Sequence, residues 1–264
     1  MQIRDEKMTL DGSFFRLPSS AARQHLLCNI SHTALIISVL LEVFQVCRKV
    51  EKEGSAMDLA NTINNITRRV PAWPVYILLF IPLGLYTYWM LTGGLGADPV
   101  RVFEHAVGEL ALQFLILGLA ITPLRELTKI NLIKYRRAIG LMAFYYTFAH
   151  LSVYVVFDQS LDMGEIWRDI VKRPYITFGM VAFVLMVPLA LTSNNPAIRK
   201  IGPVVWRKIH KLVYIVVIGA VLHFMLLTKT WEVEPMIYAG ILAVLLGYRY
   251  RESRKSARAA RLKA

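Results

Sequence analysis

Three histidines lie inside apolar segments of membrane-spanning length, and they are the residues of this chain best suited to chemistry. His150 lies in segment 138–157, and His210 and His223 lie in segment 209–227. An ionisable side chain in hydrocarbon is costly, and where one occurs it is usually functional. Neutral imidazole is a common iron ligand, and imidazoles on facing helices can bind the two faces of one porphyrin. The histidines therefore favour a haem held between helices.

The depth of each histidine predicts which of them share a haem. At about 1.5 Å per residue, His150 lies roughly 18 Å from the cytoplasmic end of its segment, and His223 lies roughly 20 Å beyond His210. We therefore expect His150 and His223 to bind one outer haem and His210 to mark an inner site. The alternative for each histidine is a hydrogen bond to a backbone carbonyl or a serine within the bundle.

The spacing of the two histidines in segment 209–227 predicts a distortion. Thirteen residues turn an ideal helix by about 1300°, which leaves the rings of His210 and His223 roughly 140° apart. Gly219, one turn before His223, is expected to permit bending or the close approach of a porphyrin or a neighbouring helix.

Two arginines occupy the place where a fourth histidine ligand would be expected. Arg136 and Arg137 lie about thirteen residues before His150, opposite His210. A guanidinium group is a poor iron ligand but forms paired hydrogen bonds with carboxylates and phosphates. The arginines are therefore predicted to bind haem propionates or a flavin phosphate, and anchoring at the cytoplasmic membrane surface is an equally good interpretation. His105 is expected to be solvated or interfacial.

The elements that position these residues are predicted to be transmembrane helices. The hydrophobic content of 56% and the mean hydropathy of +0.46 exceed those of ordinary soluble domains. A helix needs about twenty apolar residues to cross a bilayer, so the shorter segments need flanking residues as well. The predicted fold is an all-α integral membrane protein, a six-helix transmembrane bundle with spans at 73–91, 110–124, 138–157, 174–191, 209–227 and 235–248.

The distribution of charge predicts the orientation of these helices. The net charge of +13 arises from clusters between the apolar segments, which indicates an anionic inner leaflet as the partner and argues against nucleic acid. Lysine and arginine are concentrated in 125–137, 199–211 and the tail, whereas the other loops are acidic or balanced. Both termini are therefore predicted to be cytoplasmic. Membrane-interface anchors are predicted at Trp73, Trp89, Trp167, Trp206 and Trp231.

The first part of the chain follows a different pattern. Segment 26–46 contains only nine uninterrupted apolar residues, and no signal-peptide cleavage pattern follows it. Our hypothesis is that Met57 is the true start, and the alternative is an amphipathic cytoplasmic segment in residues 1–56. Cys28 and Cys47 form no CxxCH motif, so any haem is expected to be bound non-covalently. The predicted division is an N-terminal extension at 1–72, a transmembrane domain at 73–250 and a basic tail at 251–264.

Residues 73–250 resemble the MsrQ (YedZ) family of haem-binding membrane subunits of the periplasmic methionine sulfoxide reductase system, within the ferric-reductase-like transmembrane superfamily. The resemblance covers the whole six-span region. It is carried by a set of motifs that includes GGLGADPV (93–100), ITPLRE (121–126), RRAIGLMAF (136–144), FAHLSVY (148–154), KRPYITFG (172–179), LALTSN (189–194), WRKIHKLVY (206–214) and LHFMLL (222–227).

The resemblance implies that His150, His210 and His223 are ligands of one or two haem b groups, with FMN as a further cofactor. It implies an electron-transfer subunit in the bacterial inner membrane, whose partner is a periplasmic molybdenum-containing reductase that repairs oxidised methionine. The electron donor would be the quinone pool or a cytosolic flavin reductase. Superfamily relatives with two bis-histidine haems carry four histidines in two helices, whereas Arg136 and Arg137 stand here at the inner position.

Other functions remain open from the residues alone. A quinone-oxidising or metal-reducing cytochrome of the same superfamily is the nearest alternative. A metal or proton transporter could use His150 and His223, but such pathways commonly include acidic residues, and the predicted spans hold none near these histidines. A purely structural anchor for a partner would tolerate replacement of every histidine.

Overall fold

The computed structural model describes residues 55–228 and 233–261, and the secondary structure of these residues is entirely helical. This confirms the predicted all-α class, whereas segment 26–46 and Trp231 lie outside the described residues. Two 3-10 turns, Ile133–Tyr135 and His210–Leu212, and a π-turn, Tyr154–Asp158, adjoin the helices. The helices are α1 (Ser55–Arg69), α2 (Trp73–Thr92), α3 (Pro99–Thr128), α4 (Arg136–Val153), α5 (Met163–Lys172), α6 (Pro174–Leu191), α7 (Asn195–Ile209), α8 (Val213–Leu227) and α9 (Val233–Arg261).

Five stretches of the described chain are long and apolar enough to cross a membrane. Each contains one of the first five predicted spans, and the short segment 110–124 lies inside a helix of 30 residues that supplies the flanking residues it needed. The sixth predicted segment, 235–248, lies in α9, which is not among the five. The five are Trp73–Thr92, Pro99–Thr128, Ile133–Asp158, Pro174–Leu191 and Asn195–Leu227.

Two helix pairs form the centre of the bundle. Helix α3 packs along α4, α6 packs along α8, and the pairs meet where α4 contacts α6 and α3 contacts α8. The interior between them is apolar and includes Val107, Tyr146 and Val216, each 0% exposed. Helix α2 lies outside this centre and buries no residue completely, although it is apolar throughout. An all-round apolar helix on the surface is expected where the surroundings are hydrocarbon.

A tyrosine of α4 completes the hydrogen bonding of α2 beside a proline. Pro82 lies inside α2, and at the next residue the Leu83 N–H donates to the Tyr146 hydroxyl at 2.9 Å. The same hydroxyl donates to the Leu79 carbonyl at 2.8 Å. The hydroxyl thus stands between a donor and an acceptor that would pair directly in an unbroken helix. The insertion links α2 to the centre of the bundle.

An arginine of α9 completes the hydrogen bonding of α3 beside another proline. Pro123 has no N–H, so the carbonyl of Leu119, four residues earlier, lacks its helical partner. Arg249 donates from Nη2 to that carbonyl at 2.8 Å and to Thr122 Oγ1 at 3.0 Å. Its Nη1 donates to the Tyr214 hydroxyl at 2.8 Å, which ties α9 to α8 as well.

Replacing Tyr146 with phenylalanine should destabilise the bundle. The change removes a buried hydroxyl that makes two hydrogen bonds, so we expect the free energy of unfolding to fall by about 1–3 kcal/mol. The measurement is denaturant unfolding in detergent micelles. Tyr145→Phe is the matched control, because Tyr145 is the adjacent tyrosine and is 50% exposed. Equal stability of the two variants would contradict the bridging role.

Candidate haem-binding site

His150 of α4 and His223 of α8 face each other across the centre of the bundle. Their ring centroids are 6.1 Å apart, and the ring planes are inclined by 80°. Both rings line one cavity of about 400 Å³ between the two helix pairs. The structure therefore brings together the two histidines that the depth argument paired.

Each of these imidazoles is held by a backbone carbonyl of the partner helix in its pair. His150 Nδ1 lies 2.9 Å from the Glu104 carbonyl oxygen on α3, and His223 Nδ1 lies 2.6 Å from the Tyr175 carbonyl oxygen on α6. A carbonyl can only accept, so each Nδ1 carries the hydrogen and donates it. In a neutral ring the lone pair then belongs to Nε2, which is the arrangement of a metal-ligating histidine fixed by an outer partner.

A glycine makes room for each of these hydrogen bonds. Gly108 follows Glu104 by one helical turn, and Gly179 follows Tyr175 by one helical turn. A Cβ atom on Gly108 would lie 2.9 Å from His150 Nδ1, and one on Gly179 would lie 2.9 Å from His223 Nδ1. Any side chain would therefore displace the ring from its carbonyl. Sequence reasoning missed both glycines, and the available signal was an isolated glycine in an apolar helix that faces a histidine helix.

The spacing of the two rings fits one iron atom between them. An imidazole nitrogen binds a first-row metal at about 2 Å and lies about 1 Å from its ring centroid, so a shared metal sets the centroids roughly 6 Å apart. Among the described residues, no group of three or more His, Cys, Asp or Glu side chains could hold a metal ion. A porphyrin supplies four ligands of its own, so two imidazoles complete the coordination. The residues present therefore fit a haem.

Charged and polar groups surround the mouth of this cavity. Arg101, Glu104, Asp158 and Arg173 all line it, as does His105. The expectation that no acidic residue lies near the paired histidines is therefore wrong for Glu104. The reason is that α3 begins at Pro99, eleven residues before the predicted span at 110, and so carries Glu104 into the cavity wall.

A buried aspartate organises one side of the mouth. Asp169 of α5 is 7% exposed and accepts hydrogen bonds from the Tyr154 hydroxyl and Gln159 Nε2, each at 3.1 Å. It also pairs with Arg173 Nε at 3.1 Å. Tyr154, Gln159 and Arg173 line the cavity, whereas Asp169 stands behind them. The sequence offered no sign of this cluster, because its members are brought together by the reversal of the chain between α4 and α6.

His210 lies apart from the cavity, at the junction of α7 and α8. Its Nε2 is 3.2 Å from Thr192 Oγ1, and its ring centroid lies 4.1 Å from that of Trp206. Trp206 Nε1 donates to the Thr192 carbonyl at 3.0 Å, so this tryptophan packs on the histidine besides lying near a predicted interface. The 3-10 turn His210–Leu212 separates α7 from α8, so the helical geometry is interrupted at His210.

The two arginines lie with His210 at the far end of α4 from the cavity. Arg136 and Arg137 form the first turn of α4, and the charges of both act on His210. Arg137 Nη1 donates to Asn195 Oδ1 at 2.8 Å. Neither arginine lines the cavity between His150 and His223. Any role in binding a cofactor therefore belongs to the His210 end.

Gly219 serves the packing of two helices. A Cβ atom on Gly219 would meet Ala182 Cβ at 3.4 Å and the Phe178 carbonyl oxygen at 3.5 Å, both on α6. Of the two expected roles, the structure shows the close approach of a neighbouring helix and places Gly219 outside the cavity lining.

Comparison with known proteins identifies relatives of the chain. Residues 104–221 match the family described as ferric reductase like transmembrane component. The chain is 51% identical, over 189 residues, to the protein-methionine-sulfoxide reductase heme-binding subunit MsrQ of Brucella ovis, of Brucella abortus and of Brucella melitensis. The aligned part covers 70% of this chain and 86% of each relative. No solved structure matches the chain.

Alanine at either cavity glycine should weaken cofactor retention. In Gly108→Ala and Gly179→Ala the new methyl group pushes the imidazole from its carbonyl, so we expect a lower ratio of haem b to purified protein and a broadened spectrum. Gly118→Ala is the control, since its Cβ would meet only Ile139 Cγ2 at 3.9 Å. Full haem content in both cavity variants would contradict the need for glycine.

Proposed function

The chain belongs to the MsrQ family, and we propose that it is the haem b electron-transfer subunit of a methionine sulfoxide reductase system. The observation that carries the proposal is the pair of imidazoles, His150 and His223, whose centroids lie 6.1 Å apart across one cavity. It is a multi-pass membrane protein, and the proposed activity is to pass electrons through the bilayer. The subunit itself performs no bond chemistry on methionine sulfoxide.

The proposed outer haem would be held by His150 and His223 through Nε2. Bound haem would supply a one-electron carrier that cycles between ferric and ferrous iron. The Glu104 and Tyr175 carbonyls fix the orientation of both rings and increase the basicity of Nε2. Both rings are anchored to helix backbone, which would hold them in place beside a bound haem. Apolar side chains that include Leu115, Met186 and Phe224 line the cavity and exclude water.

We assign the propionates of this outer haem to the mouth of the cavity. Arg101 and Arg173 line the mouth and carry the guanidinium groups that pair well with carboxylates. The sequence predicted haem propionates or a flavin phosphate at Arg136 and Arg137, opposite His210, and named no propionate partner for the outer haem. Those two arginines lie with His210, and we propose that the three hold a second cofactor at the cytoplasmic end, either another haem or the phosphate of FMN.

The direction of electron flow follows from the proposed orientation. We propose that segment 235–248 of α9 is a sixth span, since it lacks charged residues and buries Tyr238 and Leu242 against the bundle. Both termini would then be cytoplasmic, and the cavity of His150 and His223 would open toward the periplasm. Electrons from the quinone pool or a cytosolic flavin reductase would leave there to a periplasmic molybdenum-containing reductase.

Alanine variants of the histidines test the proposal directly. In reduced-minus-oxidised spectra of purified protein, His150→Ala and His223→Ala should lose the same haem component, because each would remove one of the two imidazoles proposed to hold the same haem. His210→Ala should leave that component in place and affect a second one. The matched control is His105→Ala, which removes an imidazole from the cavity mouth and should retain the wild-type spectrum.

Other outcomes would favour other functions. Equal loss in the His150, His210 and His223 variants would indicate one shared site or general misfolding. A folded wild-type sample without a Soret band would favour the metal or proton transporter, for which Glu104 supplies an acidic group in the same cavity. Electron delivery that survives every replacement would favour a structural anchor.

The charge of Arg101 should tune the proposed outer haem. Ferric haem carries one more positive charge than ferrous haem, so removing a nearby cation in Arg101→Gln should lower the midpoint potential. Coulomb's law at an effective dielectric constant of about 20 gives a shift on the order of tens of millivolts. Redox titration of the purified protein measures it, with Arg168→Gln as the control outside the cavity lining. An unchanged potential would remove Arg101 from the site.

A further inference from the structure

Helix α5, Met163–Lys172, presents three chemically different faces. Successive residues of a helix are about 100° apart, so Met163, Trp167 and Val171 lie within about 80° of one another. These three side chains are 66%, 69% and 66% exposed, respectively, which is unusual for large apolar groups in a helix of only 10 residues. They form a continuous stripe, which we call the apolar stripe of α5.

A second face of α5 is directed at the protein. Asp169, only 7% exposed, lies on this face beside the half-buried Ile166 and Ile170. Through Asp169 the helix reaches Tyr154, Gln159 and Arg173 in the cavity wall. This face is therefore fully accounted for by contacts within the chain.

The third face of α5 is polar. Glu165, Arg168 and Lys172 lie within about 60° of one another on the helix and are all exposed. Arg168 Nη1 and Glu165 Oε1 form an ion pair at 2.5 Å. Such a face is suited to water. The helix thus divides its surface among protein, water and a third, apolar surrounding that the described residues do not supply.

The connections of α5 place it at the edge of the bilayer. The preceding span ends at Asp158 and the following span begins at Pro174. Only four residues join Asp158 to Met163 and only Arg173 joins Lys172 to Pro174. At about 3.5 Å per step, the connections span at most roughly 18 Å before α5 and roughly 7 Å after it, so both ends of α5 stay close to a span terminus. Phe157 and Leu161, 54% and 57% exposed, add further apolar surface on the chain that leads from the span to the apolar stripe.

We propose that α5 lies in the plane of the membrane interface and buries Met163, Trp167 and Val171 among the lipids of the adjoining leaflet. Lipid is the occupant that fits, because the stripe adjoins two spans, has a tryptophan at its centre and is flanked by a separate water-facing side. Helix α5 then stabilises the mouth of the cavity. Lipid holds its apolar stripe in place, and Asp169 on another face binds Tyr154 and Arg173. The proposed function would make this leaflet the periplasmic one, and only that assignment rests on it.

Spin labels on the two exposed faces test the proposal. Single cysteines are introduced in a Cys28→Ser, Cys47→Ser background, and the nitroxide-labelled full chain is placed in phospholipid nanodiscs. The apolar set is Met163→Cys, Trp167→Cys and Val171→Cys, and the matched control set is Glu165→Cys, Arg168→Cys and Lys172→Cys. Collision with lipid-soluble oxygen is compared with collision with a water-soluble nickel chelate. Far-UV circular dichroism checks that each variant keeps its helices.

The expected result is a ratio of oxygen to nickel collision that is several-fold higher in the apolar set than in the control set. Equal nickel access in both sets would overturn the proposal, because the stripe would then face water. Shielding of the apolar set from both reagents would also overturn it, since the stripe would then be covered by protein, either a second copy or a partner. The readout does not depend on haem, so it separates failure of this proposal from failure of the proposed function.

Discussion

The requirement that every backbone polar group find a partner inside the protein governs this structure, because hydrocarbon offers none. Pro82 inside α2 and Pro123 in the last two turns of α3 disturb that pairing. Tyr146 and Arg249 restore it from neighbouring helices, and each restoration is also a contact that fixes the bundle. These two polar side chains are thus placed where a proline leaves backbone groups in need of partners.

At the site of His150 and His223, backbone carbonyls provide the hydrogen-bond partners that buried side chains need. A helical carbonyl that already accepts one hydrogen bond has a second lone pair, and glycine one turn later leaves that lone pair accessible. Glu104 with Gly108 and Tyr175 with Gly179 repeat this arrangement in the two helix pairs. Each imidazole satisfies its Nδ1–H on backbone and presents Nε2 to the cavity. The orientation of both rings therefore depends on the helix backbone, which is the most rigid part of the bundle.

Features that depend on local pattern could be predicted from the sequence, and features that depend on packing could not. Uninterrupted apolar runs located the five spans, and most of the predicted ends lie within a few residues of the observed ends. The helical rise per residue was enough to pair His150 with His223. The start of α3 was missed, because Arg101, Glu104 and Glu109 read as a loop while they belong to a helix that extends beyond the apolar core. Gly108 and Gly179 were missed because a glycine within a span can have several structural roles. Only the histidine ring that faces each of them shows which role applies. The Asp169 cluster needed the relative placement of α4, α5 and α6.

The number of protein ligands distinguishes between the chemistries open to this cavity. Among the residues that the structure describes, no group of three or more His, Cys, Asp or Glu side chains could hold a metal ion. Two facing imidazoles in one cavity suit a metal that would bring most of its own donors, as the iron of a porphyrin would. The His210 end of the bundle differs, since the charges of Arg136 and Arg137 act on its imidazole. Such a site attracts anionic groups, so the two ends of the protein favour cofactor contacts of different chemistry: iron ligation where the rings meet, and carboxylate or phosphate binding where Arg136 and Arg137 lie.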